Sequence, residues 1–210
     1  MILFLLTAVP FGVFFMLFNE RRQGKSFRLP SMQFFFGIIV FIPTMLLYSF
    51  LVGMATERYS GPGFYFVHLF KDHLFFLAAA VGWFFLLRNQ IRTRTADDSF
   101  PAVLGFFGGF YSAVAVFDYL EQFTHLDSYV LFLLPLLRFA TVILVTLCLV
   151  QFLGQYDLLK FAALAACCAI PFLIALPAVF ALRHLALPTL MSAGVIGGGT
   201  AVAFLKFRDV

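Results

Sequence analysis

Seven apolar runs follow one another along this chain, separated only by short polar breaks. They cover residues 2–18, 32–54, 64–87, 100–119, 129–153, 158–182 and 185–207. Crossing the hydrocarbon of a bilayer takes about 20 mostly apolar residues in a helix, so each run has the length of a span or nearly so. The runs are too long for barrel strands and do not alternate, and a backbone facing lipid must bond to itself, so the spans are expected to be helical. Composition leaves little material for anything else. Hydrophobic residues make up 63% of the 210 and charged residues 11%, against roughly 25% charged in soluble domains.

The basic residues give the bundle a direction. Arg21, Arg22, Lys25, Arg28, Arg88, Arg92, Arg94, Lys160, Lys206 and Arg208 fall on one side of an alternating topology, and only Arg58 and Arg183 on the other. Ten against two follows the rule that cytoplasmic loops carry the positive charge. This predicts an all-α, polytopic transmembrane helix bundle of about seven helices, with its N-terminus outside the cytoplasm and its C-terminus inside. It forms a single transmembrane domain over residues 1–210. Residues 1–18 have no basic stretch ahead of the apolar run, which suits a retained first helix rather than a cleaved leader. A bacterial cytoplasmic (inner) membrane is the expected location. The expected surroundings are the lipid bilayer and other membrane subunits. Nucleic acid is not an expected partner, because the net charge of +4 is spread over short loops and forms no basic face.

Several small-residue and thiol patterns have structural readings. Gly105, Gly108 and Gly109 in the fourth run, and Gly194, Gly197, Gly198 and Gly199 in the seventh, predict close helix contacts; Gly194 and Gly198 are spaced as in GxxxG. Cys148, Cys167 and Cys168 have no paired or metal-ligand spacing and read as apolar buried thiols. No metal site is expected, and the residues name no cofactor.

Ionisable groups inside spans are costly, so each is a functional candidate. His68, Lys71, Asp72 and His73 lie in the third run. His68 and Asp72 are four apart and share a helix face. They have the chemistry of a proton relay, a carboxylate–imidazole acid/base pair or an ion site. The alternative is that residues 64–70 lie flat at the outer interface. A second group is Asp118, Glu121, His125 and Asp127, at the outer end of the fourth run. Asp118 and Glu121, three apart, share a helix face, where mutual repulsion would raise the pKa of one and suit it to acid/base work or cation binding; the alternative is a solvated loop. Arg138 lies about ten residues into the fifth run and cannot readily be neutralised. It should face the interior and find Asp72 or Asp118, either as a register-fixing ion pair or as part of an anion or headgroup site. Arg183 and His184 mark the last outer turn. These groups all fall towards the non-cytoplasmic side, which predicts a shared polar cavity there.

The layout over residues 66–200 resembles that of PrsW-type intramembrane proteases, in the wider group related to CAAX-processing enzymes. Lys71-Asp72 stands where that family has a glutamate pair. The stretch 100–121 resembles its second motif helix, and His184, ahead of a glycine-rich helix, its third. The paired glutamates themselves are absent, as is the lysine that follows them. The resemblance implies a degenerate relative, with Asp72, Asp118, Glu121 and His184 in the catalytic positions. Two functions follow: an embedded subunit of a membrane assembly or a small transporter-type component, and an intramembrane hydrolase working at an outer-leaflet site. Ion or proton translocation is a third, and the apolar cytoplasmic half counts against it.

Overall fold

The structure, a computed structural model, describes residues 28–52, 62–87, 96–122, 128–154 and 158–208. These form helices α1 (Arg28–Leu51), α2 (Pro62–Leu87), α3 (Ala96–Gln122), α4 (Ser128–Gly154), α5 (Leu158–Leu182) and α6 (Ala186–Arg208). The first apolar run, residues 2–18, lies outside the described residues. All the other expected runs are helices. Five are long and apolar enough to cross a membrane, and α3 holds a shorter apolar stretch, Ala102–Asp118. These are the helices of an integral membrane protein.

α3 occupies the middle of the bundle. Val103, Leu104, Phe106, Phe107, Phe110, Tyr111 and Val114 are each at most 1% exposed. α1 packs along one side of α3 and α4 along the other, α5 packs on α4, and α6 contacts α4 and α5 at the edge. Because α3 is enclosed by protein, its polar start, Ala96-Asp97-Asp98-Ser99, does not prevent it from being the core helix.

α1 and α3 touch at two glycines. A Cβ on Gly37 would strike the backbone of Phe106 and Phe110, and one on Gly109 the backbone of Phe34. Only glycine allows this approach, and in lipid such close packing is a main source of helix attraction. The contact expected at Gly109 is therefore found, with a partner, Gly37, that stands alone in an apolar run. The expected packing of the seventh-run glycines is not found within the chain. Among the described residues nothing lies within 4 Å of a Cβ placed on Gly194, Gly197, Gly198 or Gly199. The three thiols also divide: Cys167 is buried, Cys148 partly so, and Cys168 is exposed on α5, contrary to the expected burial.

Side-chain contacts give the helix directions. Phe41 meets Phe110 and Tyr48 meets Phe117, so α1 and α3 run parallel. Tyr48 meets Phe76 and Thr44 meets Trp83, so α2 runs against α1. His73 meets Arg138 and Phe85 meets Phe152, so α4 runs with α2. Tyr65 meets Phe172 and Phe64 meets Arg183, so α5 runs against α2. The ends of α1, α3 and α5 therefore share one end of the bundle with the starts of α2 and α4.

Residues 64–70 are part of the 26-residue α2, not a separate surface segment. At 1.5 Å per residue α2 is about 39 Å long. Its first part packs on α5, where the Tyr65 hydroxyl donates to the Phe172 carbonyl at 3.0 Å, between Pro171 and Pro177.

Candidate functional site

The ionisable stretch of α2 does not continue the α-helix. Leu69–Leu74 form a π-helical turn, in which the Phe75 N–H donates to the Phe70 carbonyl. A π-turn holds one residue more than an α-turn, and such turns occur often at functional sites. On the return to α register, one carbonyl of the turn loses its main-chain donor. Lys71, Asp72 and His73 all lie in this turn.

Arg138 enters from α4. Its side chain is 3% exposed, and its Nε donates to Asp118 Oδ2 of α3 at 2.8 Å. Its Nη1 donates to the Asp72 carbonyl at 2.7 Å and reaches His73 Nδ1 at 3.3 Å. The Phe76 ring lies 6.0 Å from the guanidinium carbon. One side chain thus ties α2, α3 and α4 together. The expectation that Arg138 finds a carboxylate is met at Asp118. At Asp72 it takes the main-chain oxygen, and the Asp72 carboxylate goes to His68 Nδ1 at 2.6 Å.

These contacts set the two imidazoles apart. A guanidinium only donates, so His73 Nδ1 is an unprotonated acceptor. A carboxylate accepts, so His68 Nδ1 carries the proton that faces Asp72. Both members of the His68–Asp72 pair are under a fifth exposed, whereas His73 is 4% exposed. Phe64 lies against His68 with ring centroids 4.2 Å apart, and Arg183 covers Phe64 at 4.7 Å. The α5–α6 turn therefore joins the same end of the bundle, through an aromatic ring.

His184 lies in the turn between α5 and α6. It is exposed, with φ of 56°. Its N–H donates to the Ala181 carbonyl and the Leu185 N–H to the Phe180 carbonyl. This is a Schellman ending for α5, with a histidine where glycine is usual. Glu121 lies in the last turn of α3, and its side chain is outside the described set; His125 and Asp127 lie outside the described residues. Among the described residues no three His, Cys, Asp or Glu groups converge to hold a metal.

Beyond Arg138, towards the far end of α2, the interior is aromatic. Phe76, Phe84, Phe106, Phe107 and Phe110 are each at most 2% exposed. Phe76 also packs on Phe41, Tyr48 and Phe117. The pattern of apolar runs gave no sign of the π-turn, of Gly37, or of the Trp83–Thr44 hydrogen bond at 3.1 Å. No family model, curated protein or solved structure matches this chain.

Proposed function

We propose that the protein is a non-enzymatic component of a larger membrane assembly, embedded in a bacterial inner membrane with its N-terminus outside. The observation that carries this reading is the open glycine face of α6. Only 11% of the apolar window of α6 is buried, and Gly194, Gly197, Gly198 and Gly199 have nothing against them among the described residues. A helix of this kind suits the close approach of a helix from another chain. The polar cluster supports the same reading, because Arg138 binds groups of its own chain: Asp118, the Asp72 carbonyl and His73. The packed phenylalanines beyond it leave little room for a path across the bilayer, which weighs against translocation.

The test is the size of the complex extracted from native membranes in mild detergent. Gly194→Leu with Gly198→Leu should reduce the complex to the free chain while leaving the chain's own melting temperature unchanged. A wild-type chain extracted as a monomer would contradict the reading.

The second reading is the intramembrane hydrolase that the layout resemblance implies. It is favoured by the His68–Asp72 pair, which stays partly exposed. Hydrolysis of membrane peptides that Asp72→Asn abolishes without unfolding the chain would establish it.

A further inference from the structure

Arg138 directs its donors to its own chain, but a second arginine at the same end of the bundle does not. Arg183 lies in the turn between α5 and α6 and is exposed. Its guanidinium carbon stands 4.7 Å from the centroid of the Phe64 ring, and among the described residues it meets no carboxylate. The same ring packs on His68, with centroids 4.2 Å apart. We infer that Arg183 and His68, set apart by Phe64, bind the headgroup of a phospholipid that carries both a phosphate and an N–H donor, with the phosphate on Arg183 and the donor on His68.

The arginine has the chemistry and the depth for a phosphate. A guanidinium presents its donors in a planar fork that matches phosphate oxygens. The ring covers a face of the guanidinium and leaves the N–H groups along its edge open. α2 is longer than the hydrocarbon is thick, about 39 Å against about 30 Å, so its first turn, with Phe64, reaches headgroup depth.

The histidine is oriented for a donor. Asp72 takes its Nδ1 proton at 2.6 Å, which fixes the ring and turns Nε2 away from the carboxylate. Nε2 has no partner among the described residues. In a neutral imidazole with a proton on Nδ1, Nε2 is an acceptor. An ammonium suits it, and a second phosphate oxygen does not. Phosphatidylethanolamine, with an ammonium two carbons from its phosphate, matches the pair in charge and order. Its acyl chains also have a surface to lie on. Phe172 and Leu176 share the face of α5 that leads to Arg183 and are 44% and 38% exposed.

The test is native mass spectrometry of the full chain, purified in mild detergent, freed of bound lipid, and titrated with phosphatidylethanolamine or with phosphatidylcholine of the same acyl chains. In phosphatidylcholine, methyl groups replace the N–H donors and the phosphate is unchanged. Wild type should bind phosphatidylethanolamine more tightly. Arg183→Gln should weaken both lipids roughly tenfold, as the loss of a charge-assisted hydrogen bond does. His68→Asn keeps an N–H for Asp72 and removes Nε2. It should bring phosphatidylethanolamine down to the level of phosphatidylcholine and leave phosphatidylcholine binding as it was. Inorganic phosphate should not displace either lipid. Equal binding of the two lipids by wild type, unchanged binding in Arg183→Gln, a preference that survives in His68→Asn, or displacement by inorganic phosphate would each overturn the site.

Discussion

Arg138 and Asp118 are each buried, and neither can lose its partner without leaving a charge in an apolar interior. Removing one member of such a pair typically costs about 3–5 kcal/mol, whereas replacing both by apolar groups is often neutral or stabilising. Arg138→Met should therefore lower unfolding free energy in detergent by roughly 3 kcal/mol, and Arg138→Met with Asp118→Leu should recover most of it. A double variant as unstable as the single one would mean that the pair is held for some purpose other than its own charge balance. His184 predicts an effect of the opposite sign. A side chain in the left-handed region costs about 1–2 kcal/mol, so His184→Gly should raise thermal stability by about 1 kcal/mol. It should also leave function intact if His184 only ends α5. Sequence reasoning found Arg138 and both of its carboxylate candidates, because a guanidinium in a span has to be matched. It did not foresee that Asp72 would offer its main chain, since composition carries no information about carbonyl partners. The positive φ of His184, which sets the end of α5, likewise leaves no mark in the order of residues.

The helices themselves were legible. The expected runs 129–153 and 158–182 differ from α4 and α5 by at most one residue at either end, because length and apolarity are what lipid demands of a span. Hydrogen-bond register was not legible. Residues 69–74 carry no pattern that marks a change of register, and they form a π-turn inside a continuous helix. The glycines show the same limit. A GxxxG pattern says that a helix can be approached closely, and it does not say by which chain. Gly37, without a pattern, is where α1 and α3 meet, while Gly194 and Gly198 meet nothing within the described residues. This sets opposite expectations for two substitutions. Gly109→Ala drives a methyl into the Phe34 backbone and should cost about 1–3 kcal/mol as overpacking. Gly198→Leu should change the stability of the isolated chain by no more than about 0.5 kcal/mol. Thermal unfolding of the two variants in the same detergent compares them directly.

Across the whole molecule, the described helices alternate in direction, as a bundle with short connections requires. All the polar contacts of Arg138 lie towards the end where α3 finishes and α4 begins. Among the described residues, Arg28 at the start of α1, Lys160 at the start of α5 and Lys206 and Arg208 at the end of α6 lie at the opposite end. The central claim is that the polar cluster faces away from the cytoplasm, in a membrane bundle whose other half is packed with phenylalanine. The most direct measurement is thiol labelling in intact cells with a membrane-impermeant reagent. The background replaces Cys148, Cys167 and Cys168 by alanine, and single reporters are placed at Ala186→Cys, in the first turn of α6, and at Gln155→Cys, between α4 and α5. Labelling of Ala186→Cys in intact cells, with Gln155→Cys labelled only after the membrane is opened, is the predicted result. The reverse pattern, or equal labelling of both positions from outside, would contradict it.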